Sequence, residues 1–93
     1  SPFITEKDVE KLLDVAINVF QPKKDIHTVL AELKKEVAKL NNANLEVSMQ
    51  VLEEEISKRK ARTPVIQGML SNFQGYKQLE KPIQMIRDFY RID

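Results

Sequence analysis

Apolar residues recur at steps of three and four along nearly the whole chain, the period of an amphipathic helix. Ile4 to Val9 reads as a helix start: Thr5 can cap, Asp8 follows three residues on, and Ile4 and Val9 have the spacing of a hydrophobic staple. Val9, Leu12, Leu13, Ala16, Ile17 and Phe20 then share one face, and Pro22 ends the segment. Glu6, Asp8 and Glu10 occupy the first turns, where the helix dipole favours negative charge. Asp25 is the expected cap of a second helix with the clearest stripe in the chain: Ile26, Val29, Leu30, Leu33, Val37 and Leu40. Asn41-Asn42 supplies a stop, because asparagine tolerates the left-handed geometry of a helix end.

Asn44 is the expected cap of a third helix running to Ala61, with Leu45, Met49, Leu52 and Ile56 as its stripe and Val47 and Val51 flanking it. Glu54 with Lys58, and Glu55 with Arg59, have the four-residue spacing of helical ion pairs. Thr63-Pro64 reads as a cap followed by proline at the first helical position. Val65, Ile66, Met69, Leu70 and Phe73 continue that helix to Gly75. Leu79, Ile83, Ile86, Phe89 and Tyr90 are helix-spaced again, either as a short fifth helix or as a continuation of the fourth beyond a kink. The spacing thus predicts helices over 5–20, 26–40, 45–61, 64–75 and 82–91. Their short connections predict an all-α, antiparallel four-helix bundle in one domain of 93 residues, with the short fifth helix at its C-terminus.

Composition narrows the function classes. Apolar residues make up 42% and charged residues 31%, a globular balance. Fifteen Lys and Arg against 14 Asp and Glu leave a net charge of +1, without the basic excess that nucleic-acid binding usually requires. There is no cysteine, so neither a disulfide framework nor thiolate chemistry is available, which fits a reducing cytoplasm. No apolar run approaches the roughly 20 residues of a membrane span, and no signal-peptide pattern opens the chain. Ser1 is an unusual opening residue, as expected of a processed or trimmed end.

Candidate chemistry is sparse. His27 is the single histidine, and without a second histidine or any cysteine it has no partners for a metal site; its place in a first helical turn predicts a surface position. Ser48, Ser57 and Ser71 fall within helices and show no nucleophile-elbow motif. Gly68 and Gly75 are too isolated to cradle a phosphate. Glu53-Glu54-Glu55 point about 100° apart from one another and do not converge, so the run reads as a solvated helix face. The expectation is no enzyme, no cofactor and no metal. Lys58, Arg59, Lys60 and Arg62 form the densest basic cluster; the negative end of a helix dipole already accounts for its placement and is the favoured explanation, with an acidic partner or lipid headgroups as the functional alternative. Tyr76, Lys77, Arg87, Phe89, Tyr90 and Arg91 are a second candidate partner-binding set, because aromatic and arginine side chains dominate binding hot spots. The competing reading is that Phe89 or Tyr90 simply closes the core, and one aromatic can serve each role.

The order of segments resembles the pediocin-like (class IIa) bacteriocin immunity proteins. The resemblance runs through Glu10 to Phe20, Val29 to Leu40 (VLAELKKEVAKL) and Val47 to Ile56 (VSMQVLEEEI), then the basic stretch into Thr63-Pro64-Val65-Ile66 and the helix beyond. It is a pattern of apolar positions and carries no signature residues. It implies a cytoplasmic four-helix bundle that works without catalysis. Its partner is implied to be a membrane sugar permease engaged by the toxin and met from the cytosolic side, with specificity in the part from Thr63 onward. The tail after Pro82 is shorter than in many such proteins. A different class remains open beside it: a small helical adaptor or regulatory domain that docks a peptide or another bundle.

Overall fold

A computed structural model describes residues 3–20 and 25–92; of residues 18–20 only the backbone is described. Pro22, Ser1 and the side chain of Phe20 therefore lie outside the described residues. The described chain is all-helical, with α1 Glu6–Phe20, α2 Ile26–Lys39, α3 Ala43–Ser57, α4 Thr63–Leu70 and α5 Glu80–Phe89. Short 3-10 turns, Ser71–Phe73 and Lys77–Leu79, lie between α4 and α5.

Local chemistry fixes most of the ends. Thr5 N–H donates to Asp8 Oδ2 at 3.0 Å and Asp8 N–H donates to Thr5 Oγ1 at 3.2 Å, a reciprocal capping box that starts α1 as its sequence predicts. Asp25 caps α2 by accepting the His27 N–H at 3.1 Å. Asn41 ends α2 in the left-handed region (φ 49°), again as expected. The cap of α3 differs: it is Asn42, whose Oδ1 accepts the N–H groups of Asn44 and Leu45 at 3.0 and 3.2 Å. Asn44 is inside the helix, because a cap must precede the first helical residue and accept from the next turn.

The far end of α3 also departs from expectation. The helix stops at Ser57, and Lys58 is extended (ψ 143°), so Lys58 to Arg62 form a connecting loop. The four-residue pairings then lose their geometry: Lys58 reaches back three residues to Glu55 at 2.7 Å. Position 62, not 63, is the boundary of α4, with Thr63 and Pro64 as its first residues and no side-chain cap on it. Gly75 (φ 90°) turns the chain after the 3-10 extension of α4, close to its expected end. α5 is a separate helix, with Pro82 in its first turn where no N–H is needed.

The core is lined by α2 to α5. Val29, Leu33 and Val37 of α2, Leu45, Met49 and Leu52 of α3, Ile66 and Leu70 of α4, Phe73 and Leu79 of the 3-10 turns, and Ile86 and Ile92 are all buried in one cluster. α2 packs against both α3 and α5, and α3 against α4. Lys34 sits 3.6 Å from Glu53, His27 lies opposite Ser57 at one end, and Ala38 lies opposite Glu46 at the other. α2 and α3 therefore run antiparallel.

The expected inward face of α1 is not inward. Leu12 is 67% exposed and Leu13 57%, and Ile4, Val9, Val15 and Ile17 are exposed as well. The physical reason is that α5 and the turn before it pack on α2, with Leu79, Ile83 and Ile86 in the same core as the α2 stripe, so the core closes without α1. The resulting radius of gyration, 16.5 Å, exceeds the roughly 12 Å of a compact chain of this length.

Candidate interaction surface

Glu55 overturns the reading of the acidic run as uniformly solvated. Glu54 is exposed and Glu53 half-buried, but Glu55 is only 3% exposed and belongs to the edge of the α3 stripe. Its Oε2 accepts from Lys58 Nζ at 2.7 Å and its Oε1 accepts the Arg62 N–H at 3.2 Å. These bonds, the Lys58 ammonium first and the Arg62 amide second, hold its carboxyl below the usual carboxylate range. Since α4 has no cap of its own, a carboxylate on α3 does for Arg62 N–H what a capping-box glutamate does within one helix. Glu55 thereby fixes the loop that displays Arg59 and Lys60.

The loop residues Lys58, Arg59, Lys60 and Arg62 are all exposed. Lys58 is committed to Glu55, so the outward charge comes from Arg59, Lys60 and Arg62. The C-terminal set divides. Tyr76 is half-buried against the core, and its hydroxyl accepts from Asn42 Nδ2 at 3.3 Å, tying the start of α3 to the turn before α5. Tyr90 also packs on the core, and burial pushes its phenol above the ordinary value. Phe89 stands 51% exposed with its ring edge-on to Tyr90, centroids 5.1 Å apart. One aromatic closes the core and the other faces outward. Lys77 and Arg91 are exposed and Arg87 is half-buried.

Arg91 has φ 56°, and the turn around it is a Schellman motif: Ile92 N–H donates to the Arg87 carbonyl at 2.8 Å and Arg91 N–H to the Asp88 carbonyl at 3.2 Å. Burial of Ile92 beside Ile86 drives the motif, which fixes the direction in which the chain carries Arg91.

The path of the chain divides the C-terminal set. The Asn42–Tyr76 bond and the contact of turn Lys77–Leu79 with α2 place the start of α5 at the C-terminal end of α2. From there α5 packs along α2, while Arg59, Lys60 and Arg62 lie on the loop that follows α3, at the end of α2 where His27 faces Ser57. Tyr76 and Lys77 lie at the opposite end, away from that loop. Sequence reasoning missed Glu55 as the organiser of the loop.

The other openings are shallow. A groove of about 440 Å³ between α2 and α3 is bordered by Lys34 and Glu53, and a hollow of about 590 Å³ beside Gly75 is bordered by Lys81 and Arg87 over Phe73 and Ile83. His27 is exposed in the first turn of α2, as its position predicts. Among the described residues no cluster of three metal-ligating side chains occurs, and no helix is long and apolar enough to cross a membrane. The chain matches no family model, no curated protein and no solved structure.

Proposed function

We propose that the chain is a non-catalytic immunity protein that acts by contact in the cytoplasm. In this reading it protects the bacterium that makes it against a bacteriocin, by binding the toxin-engaged sugar permease from the cytosolic side. One observation carries the proposal: Phe89 stands 51% exposed between Arg87 and Arg91 in the chain, and Arg59, Lys60 and Arg62 are exposed on the loop after α3. An exposed aromatic side chain with arginines beside it in the sequence has the composition of a protein-binding hot spot. The resemblance of the segment pattern to pediocin-like immunity proteins supplies the biological context of the proposal. An antiparallel four-helix core formed by α2 to α5 is part of the same proposal, supported by the packing of α5 along α2.

Expression in a bacteriocin-sensitive strain tests it. Survival should exceed that of the empty vector, and Phe89→Ser with Lys60→Glu should abolish protection while leaving the circular dichroism unchanged. Survival no better than the vector for the unaltered chain removes the immunity reading. The uncovered apolar face of α1 favours a second reading, a helical adaptor that docks a partner helix; helix binding without any protective phenotype would select it.

A further inference from the structure

We infer that α1 is a self-association helix, pairing antiparallel with α1 of a second copy. The α1 strip from Ile4 to Ile17 is the longest uncovered apolar surface among the described residues. The helix that carries it, 15 residues at 1.5 Å each, is roughly 22 Å long. The core offers nothing of that length to receive it. Its own exposed large apolar residues are Val47 and Val51 on α3 and Phe89 at the far end of α5, too few and too separate to make a matching strip. The surface complementary in length and chemistry is therefore another α1.

Charge decides against a lipid bilayer as the occupant. Glu6, Asp8, Glu10 and Asp14 outnumber Lys7 and Lys11 on α1, whereas helices that lie on anionic membranes carry a basic polar face. Charge also sets the direction. Parallel pairing would place the acidic first turns side by side, and the two basic core ends side by side. Antiparallel pairing brings Glu6, Asp8 and Glu10 of each copy beside the C-terminus of the partner's α1. That terminus is joined to Asp25 by only a few residues, a reach of at most about 18 Å, so each acidic turn comes toward the end of the other copy that carries Arg59, Lys60 and Arg62. Opposed helix dipoles act in the same sense.

Area sets the strength. The exposed parts of Ile4, Val9, Leu12, Leu13 and Ile17 amount to roughly 500 Å² per copy, about 1,000 Å² for the pair, the lower limit of a specific interface. The dimer should accordingly dissociate at a concentration on the order of 10 µM rather than persist at nanomolar levels.

Sedimentation equilibrium of the full chain from about 1 to 500 µM, a span bracketing that expected strength, tests the association. A monomer–dimer transition is expected; a monomer throughout, or open-ended assembly, overturns the inference. Because the chain has no cysteine, direction is read by mixing Val9→Cys with Ile17→Cys under oxidation. The mixed 9–17 disulfide should dominate, and predominance of 9–9 and 17–17 products overturns the antiparallel arrangement. Glu6→Lys with Glu10→Lys should weaken the dimer about tenfold at low salt, and adding Arg59→Glu with Arg62→Glu should restore it. Failure of that rescue removes the charge argument. Self-association read in this way does not depend on the immunity reading.

Discussion

Identical Leu→Ala substitutions at two helix-interior sites separate the core from α1 quantitatively. Leu33 is 0% exposed, between α3 and α5, so truncation removes its transfer free energy and leaves a cavity that the surrounding helices can only partly fill. The expected cost is about 3–4 kcal/mol. Total stability for 93 residues is on the order of 5–14 kcal/mol, so this one change removes a large share of it. Leu12 already has two-thirds of its surface in water, and its truncation leaves no enclosed cavity. The expected cost there is about 0.5 kcal/mol. Helix propensity changes equally at both sites and cancels in the comparison. Urea denaturation followed at 222 nm, at a protein concentration below that of dimer formation, gives both values with a common slope. A loss of 2 kcal/mol or more for Leu12→Ala, measured on the monomer, would refute the reasoning, because it would place α1 against the core.

Three further outcomes follow from named contacts. Asn42→Ala removes both the α3 cap and the bond to Tyr76, so it should cost about 1.5 kcal/mol and lower Tm by roughly 6–12 °C, whereas Asn44→Ala should be neutral within about 0.5 kcal/mol; equal losses would contradict Asn42 as the cap. Arg91→Gly relieves the left-handed strain at that position and should raise stability by about 1 kcal/mol, read as a higher urea midpoint; a lower midpoint would contradict it. The Glu55 carboxyl is held below its ordinary 4.5, so it stabilises the fold fully above that pH and loses the contribution as the pH falls through the folded-state value. Glu55→Gln should flatten the stability–pH curve below about 4.5, and an unchanged curve would show that the carboxylate is not bonded as described.

Periodicity made the helices legible, and it left their partners open. The stripe from Ile26 to Val37 is buried along its length because its apolar positions meet neighbours on two sides, α3 and α5. The same kind of stripe on α1 shows only that the helix has an apolar face, and the competing claim of α5 on α2 was invisible because assignment of faces depends on three-dimensional fit. Caps with local bonds, Thr5 with Asp8 and Asp25 with His27, could be read directly. The start of α4 was read to within one residue from Thr63-Pro64, but the group that caps it was not, since that carboxylate comes from another helix seven residues back. A signal for Glu55 existed: position 55 follows Leu52 by three, which puts it at the margin of the buried stripe, with Lys58 three residues ahead of it. The two basic and aromatic sets were each visible in the chain, whereas the tie of Tyr76 to Asn42, at the far end of α3 from the basic loop, depended on the path of the turn before α5.

Native-state hydrogen exchange on the dilute monomer probes the division between core and α1 most directly. Amides in the middle of α2, α3 and α5 should exchange only through global unfolding, while those of α1 should exchange orders of magnitude faster. Protection of Leu12, Leu13 and Ala16 equal to that of Leu33 and Val37 would contradict the account.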